Sequence, residues 1–600
     1  MKTAAICLSL LAAAALAADV AATPPTTKGT RVTTSSLPAP TPVLKDAMSF
    51  FLAGDKRLAS LKIVPAAGQA FASAMRVTTA TQPANSWDIQ LAARSAAPVA
   101  KDDVLLATFW ARAAEGNEAT ASFIFEIAGP PYTKSADCAV SVGVQWKRFH
   151  VPFKSLGDFA AGGAGINFQL GFQPQTIEIG GVEVVNYGRN ARLADLPRAT
   201  VHYRGREADA PWRKAAADRI ARHRMGDLKV EVVNAAGEPV AGAVVQIRMT
   251  RQAFAIGAAV AAAALLKEGP DGQKYRQFIE SNCNRVVFEN DLKWPQWEDK
   301  ASRDRMMQAR QWLAERHIEI RGHCLVWPAW RWLPKDLQGL AGSPDALRKR
   351  VADHVSEEVA AMNGSLVEWD VINEPYANHD LMDILGQDAM ADWFRLAREA
   401  DANVRLFVND YSILSAGGTD KSHQDHYEKT IRFLQAAKAP IGGIGIQGHF
   451  DSRLTPPDRL IEVLDRFASL GLPIEVTEFD VNIDDEDVQA AYTRDFMTAL
   501  YSHPAVSGIL TWGFWEGRHW LPKAAMYRKD WTLKPNGQAW LDVVKSWQTQ
   551  ATVTTAADGA ANAVRGHLGE YEIIAAAAGK TAATRATLTT AGATVRVVLK

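Results

Sequence analysis

Trp369-Asp-Val-Ile-Asn-Glu-Pro375 is the stretch on which the reading of this chain turns. Leu366 to Ile372 is mostly apolar and β-branched near its end, the pattern of a buried strand. Pro375 has no N–H for a ladder and steers Glu374 away from the helical region, so the strand stops there. That leaves a carboxylate, with the Asn373 amide beside it, at the carboxyl end of a buried strand. In a parallel α/β barrel this end holds the reactive groups. The chain then has to supply the barrel and a second carboxylate.

Strand-like runs recur at Phe254–Ala258, Arg285–Phe288, Glu319–Leu325, Val367–Ile372, Arg405–Val408, Gly443–Ile446, Ile474–Thr477 and Gly508–Thr511. Amphipathic stretches such as Ser343–Met362 and Asp388–Asp401 separate them. Eight such alternations predict a (β/α)8 TIM barrel over 253–548.

Polar side chains collect where the runs stop: Glu289-Asn290, His323, Asn373-Glu374, Asn409-Asp410-Tyr411, Gln447-Gly-His449, Glu478-Phe-Asp480 and Trp512. One such residue is ordinary at a barrel rim, but convergence at the same end of seven strands points to a site. Glu374 and Glu478, on the fourth and seventh runs, face each other across the mouth. Cleavage of a glycosidic bond needs such a pair, one carboxyl to protonate the leaving oxygen and one carboxylate to attack the anomeric carbon. His449 is placed to hold Glu478 ionised, and Asp480 to orient that histidine. Asn373 is placed to bond a sugar 2-hydroxyl.

The barrel resembles glycoside hydrolase family 10. The matching pieces are Glu289-Asn-Asp-Leu-Lys-Trp294, Arg321-Gly-His-Cys-Leu-Val-Trp327, Trp369 to Pro375, Asn409-Asp-Tyr411, Gly445-Ile-Gln-Gly-His449, Thr477-Glu-Phe-Asp480 and Thr511-Trp-Gly513, in the family's order. The resemblance implies a retaining endo-1,4-β-xylanase with Glu374 as acid/base and Glu478 as nucleophile. It also implies that Asn290, Lys293, His323, Trp327, Gln447, Trp512 and Trp520 line the sugar subsites. Where the family has His and then Ser-Gln after Trp327, this chain has Pro328-Ala-Trp330-Arg-Trp332, a change in a substrate-binding loop. Xylan or a related β-linked polysaccharide is the expected partner. The alternatives are a retaining β-glycanase on another decorated polysaccharide and an inactive polysaccharide-binding protein.

The flanks carry further domains, as six hundred residues exceed one hydrophobic core. The apolar run Ala4–Ala17 reads as part of a signal peptide over 1–22, implying a secreted or periplasmic protein, and the Thr/Pro/Ser-rich segment 23–43 as a linker. Short alternating runs over 44–190 predict a β-sandwich, with Trp110 in its core and Trp87 as a stacking platform. Its closing segment, Thr176 to Asn186, resembles carbohydrate-binding jelly rolls. A connector helix is expected within 200–226. Segments 227–250 and 551–600 resemble two halves of one carboxypeptidase regulatory-like sandwich, into which the barrel would be inserted. Lys plus Arg equals Asp plus Glu at 66 each, so no global basic field invites nucleic acid or an anionic membrane. No phosphate loop or zinc-ligand cluster is present, so no cofactor or metal is expected, and a monomer is.

Overall fold

A computed structural model describes residues 37–116, 118–198 and 202–600. The leader expected at 1–22 and most of the linker expected at 23–43 lie outside the described residues. Eight strands form the centre: β1 (Ala255–Val260), β2 (Arg285–Phe288), β3 (Glu319–Val326), β4 (Glu368–Asn373), β5 (Arg405–Asp410), β6 (Gly443–Phe450), β7 (Ile474–Val481) and β8 (Val506–Thr511). All pair in parallel and in chain order, and β8 closes on β1, giving a TIM barrel. Every residue of β4 and β7 is buried, because helices cover one face and the barrel interior the other.

The helices begin where local chemistry favours it. Asp299, Asp420 and Asp485 accept backbone N–H groups of their first turns, and Pro344, Pro457 and Pro535 stand at first helical positions. At Gly322 a Cβ would lie 2.2 Å from the Trp369 ring, so β3 is bare where that buried indole packs.

Several strands run past their expected ends. Asn409, Gln447, His449, Glu478 and Asp480 lie inside β5, β6 and β7 rather than after them. These polar side chains are satisfied largely by one another, so the ladder continues through them.

The amino ends of the strands hold a buried charged cluster. Arg285 donates to Glu475 (2.7 Å) and Glu319 (2.7 Å) and pairs with Glu368. Arg321 donates to Glu368 (3.0 Å) and chelates Asp370.

Before the barrel, two antiparallel sheets face each other. One orders Ala59–Pro65, Ser73–Thr79, Gln175–Asn186, Val104–Glu115 and Lys147–Lys154; the other Phe51–Gly54, Ile89–Arg94, Ala164–Gln169, Ala119–Ile127 and Lys134–Val142. Phe109 fills the space between them, stacked on Phe149 and Phe123 and edge-on to Phe168. Trp110, expected in that core, is not there. Its neighbours Phe109 and Ala111 take the inward positions of the pleat, and Trp110 sits half-buried on the outer face against Phe71 and Arg148. Gln175–Asn186 is one strand, bulged at Gly180–Gly181, rather than two short runs.

The helix Pro211–His223 packs on barrel helix Glu486–Ser502, with Arg213 held bidentately by buried Asp495. Segments on both sides of the barrel form a small two-sheet sandwich. Met225–Asn234 pairs in parallel with Ala593–Leu599, and Val244–Gln252 pairs antiparallel with Gly569–Ala577. Strands Val564–His567 and Lys580–Leu588 were not anticipated. The latter alternates Thr and Ala rather than bulky residues, and lies at the sheet edge. Among the described residues no helix is long and apolar enough to cross a membrane.

Candidate active site

Glu374 follows β4 directly and takes φ 53°, a left-handed value rare for a residue with a side chain. Its N–H donates to the Asn409 carbonyl at 2.8 Å, which holds the turned backbone against β5. Strain of this kind persists only where the surroundings impose it, and it collects at functional positions. The turn aims the carboxyl into the barrel mouth. Gln447 Nε2 donates to Oε1 (2.9 Å), and Trp327 Nε1 (3.2 Å) and Asn378 Nδ2 (3.1 Å) donate to Oε2. Burial pushes the Glu374 carboxyl above the usual range; the Gln447 bond opposes this, while the charges of Glu478 and Asp410 add to it.

Glu478 is buried in β7. Its Oε1 accepts from Asn409 Nδ2 at 2.8 Å, and its Oε2 lies 3.1 Å from His449 Nε2. His449 Nδ1 lies 3.1 Å from Asp480 Oδ2, which also accepts from Trp520 Nε1 at 2.8 Å. Burial would discharge this imidazole, but the carboxylates of Asp480 and Glu478 outweigh it and push its pKa up to about 10. His449 thus sits between the Glu478 and Asp480 carboxyls, which favour its charged form.

Asn409 ties the halves together. Besides Glu478 it donates to Asn373 Oδ1 (2.9 Å), while its own Oδ1 accepts from Thr477 (2.8 Å). Asn373 is buried, and its Nδ2 has no hydrogen-bond partner among the described residues.

The remaining predicted residues lie around this centre. His323 is buried with Nδ1 2.9 Å from Asp370 Oδ2; a carboxylate only accepts, so Nδ1 carries the proton and Nε2 is left for the site. Trp512 packs edge-on to His323 and His449. Lys293 donates to Asn290 (2.9 Å) and sits 5.0 Å above the Trp327 ring. Trp520 stands half-exposed beside His449. A cavity of about 350 Å³ opens here, lined among others by Glu374, Gln447, His449, Trp520, Tyr411 and Arg331.

Four participants carry no role in the sequence reading: Asn409, Asp370, Asn378 and Arg331. Asn409 was visible at a strand end, and Asp370 as a charge inside an apolar run. Asn378 and Arg331 lie in loops with no periodicity to flag them.

Glycosyl hydrolase family 10 matches residues 247–543. The chain is 30% identical over 375 residues to the anti-sigma-I factor RsgI6 of Acetivibrio thermocellus, covering 62% of this chain and 47% of that protein. It is 29% identical over 432 residues to endo-1,4-beta-xylanase 1 of Arabidopsis thaliana, covering 68% and 45%. The chain thus spans about half the length of these two relatives. With endo-1,4-beta-xylanase B of Paenibacillus barcinonensis it shares 31% identity over 245 residues, covering 38% of this chain and 70% of that one. The chain belongs to glycosyl hydrolase family 10.

Proposed function

We propose that the protein is a retaining endo-1,4-β-xylanase acting by double displacement on xylan. The observation that carries this reading is the contrast between the two glutamates. Glu374 is buried with its proton favoured, whereas Glu478 is flanked by an imidazolium and an amide donor. In the first step Glu374 protonates the leaving glycosidic oxygen as Glu478 attacks the anomeric carbon and forms a glycosyl ester. In the second, Glu374, now ionised, takes a proton from water, which attacks the same carbon and releases Glu478. The free Nδ2 of Asn373 is the donor for the sugar 2-hydroxyl, a bond that strengthens as positive charge develops on the ring.

A polymer substrate lies outside the cell, so the reading includes export, which the apolar run Ala4–Ala17 supports. The sandwich at 44–190 would serve as an accessory carbohydrate-binding domain; Phe51 and Trp87, both more than half exposed, support that role. The similarity to endo-1,4-beta-xylanases of Arabidopsis thaliana and Paenibacillus barcinonensis favours xylan over other β-glycans.

The test is product release from unbranched xylan and from mixed-linkage β-glucan, with wild type beside Glu374→Gln and Glu478→Gln. Xylan cleavage reduced by about 10⁴-fold or more in Glu478→Gln, and strongly in Glu374→Gln, is the expected result. Cleavage of β-glucan alone would move the substrate and keep the mechanism. No cleavage of either, with binding retained, would leave a sugar-binding protein.

A further inference from the structure

Where Trp327 is followed by Pro328-Ala-Trp330-Arg-Trp332, the loop after β3 is fastened to the loop after β4. Trp330 N–H donates to Asp380 Oδ2 at 2.8 Å, Leu381 N–H donates to the Pro328 carbonyl at 3.2 Å, and Arg331 Nη2 donates to Asn378 Oδ1 at 3.0 Å. The last contact has a chemical consequence. A guanidinium has only donors, so it can bond only the oxygen of the Asn378 amide. The nitrogen of that amide must then point the other way, and there it donates to Glu374 Oε2 at 3.1 Å and to the Glu374 carbonyl at 3.2 Å.

We propose that Arg331 is a positioning residue for the acid/base, locking the Asn378 side chain so that its N–H is held on the Glu374 carboxyl. The inference rests on Glu374 being the acid/base of the reaction proposed above. Arg331 is itself exposed and touches no reacting atom; its guanidinium stacks over Trp332, 5.0 Å from the ring centroid, which restricts its swing. The outcome is a one-way relay in which the loop after β3 sets which atom of Asn378 meets the acid.

A second-step base must be ionised, and donors to a carboxylate favour that form. Glu374 is otherwise faced by Glu478 from β7, Asp410 from β5 and His323 from β3. His449 of β6 lines the same cavity, and Lys293 lies over Trp327. The two carboxylates and burial hold the proton on Glu374. Arg331 works against them through Asn378, by a direct chain of two hydrogen bonds.

The test titrates Glu374 directly, in protein carrying carbon-13 in its glutamate carboxyls, with Glu374→Gln assigning the resonance. Arg331→Ala and Asn378→Ala are each expected to raise the Glu374 midpoint by roughly half a pH unit or more. Arg331→Lys, which keeps a donor and a charge, is expected to stay near wild type. The double variant should move no further than either single one, since both act through one contact. The alkaline limb of kcat/KM on xylan should follow the same order. An unchanged midpoint in both single variants overturns the proposal, even where activity falls, because packing damage alone would lower activity and leave the titration fixed. Arg331→Met takes the place of the alanine variant should that one not fold. A wild type that cleaves no xylan would refute the activity while leaving the titration readable.

Discussion

The two ends of the barrel interior are built from the same residue types and behave oppositely. At the amino ends, Glu368, Asp370 and Glu475 meet Arg285 and Arg321 in an ion cluster that includes several direct bonds. At the carboxyl ends, Glu374 and Glu478 meet amides, indoles and one imidazolium, and a buried Asn373 N–H is left over. The lower cluster is saturated with its own counter-charges and has nothing to offer a ligand. The upper one is deliberately short of partners, and one of its carboxyls sits on strained backbone. Inside this barrel the glutamates of the lower end have their oxygens closed by guanidinium groups, and those of the upper end do not.

Asp370 is where the two regions touch. It accepts from Arg321 below and from His323 above, and its carboxyl lies below the usual range: burial opposes this, but the charge of Arg321 and the His323 bond prevail. Arg321→Met tests the separation with the largest expected effect. It strips Asp370 and Glu368 of a fully buried partner, and stability to urea should fall by about 3–5 kcal/mol. If the upper site stands on its own, the folded fraction should keep kcat within a small factor. A large loss of kcat in folded protein would show that the Asp370–His323 link carries the lower cluster's order into the site.

That lower cluster also marks where sequence reading stopped. The runs Arg285–Phe288 and Glu319–Leu325 announced strands through their apolar residues, and their leading charges carry no local sign of a partner. Nothing local says that Arg285 and Glu475, far apart in the chain, will meet; only barrel closure brings them to 2.7 Å. The upper site was legible because Asn373-Glu374, Gln447, His449 and Glu478 each end an apolar run, so one register rule places them all at the same rim. Arg331 lies in the loop already marked as changed, but nothing local says what it will touch, and Asn378 escaped because a loop has no period. Trp110 was misplaced for a smaller reason: a strand that is apolar on both faces leaves its inward register undecided.

His449 offers the next test, since it is the one cation of the upper site paired on both sides. Its pKa is raised in the folded state, so the pairing stabilises in full below the ordinary imidazole value near 6.5. That contribution is lost progressively as pH rises toward about 10. Thermal melts of wild type and His449→Gln should therefore converge between pH 6 and pH 10, with wild type losing more of its margin. Parallel curves would mean that His449 is neutral across the range, and the upper site would then hold no cation between its carboxylates.

The smallest expected effect belongs to Trp332, at the rim where the saturated interior gives way to solvent. Its ring stacks on Trp327 with centroids 4.0 Å apart and planes 12° from parallel, while Lys293 covers Trp327 at 5.0 Å and the Trp327 indole N–H reaches Glu374. Trp327 thus presents its indole N–H to Glu374 while Trp332 and Lys293 pack on its ring. Removing one aromatic partner costs about 0.5–1.5 kcal/mol. For Trp332→Ala this predicts a KM on xylan raised roughly two- to tenfold with kcat retained, if the pair only grips sugar. A fall in kcat at constant KM would instead place Trp332 with Arg331, as a second support through which the loop after β3 aims donors at Glu374. That outcome would move the border between saturated and unsaturated partners outward, from the strand ends into the loop itself.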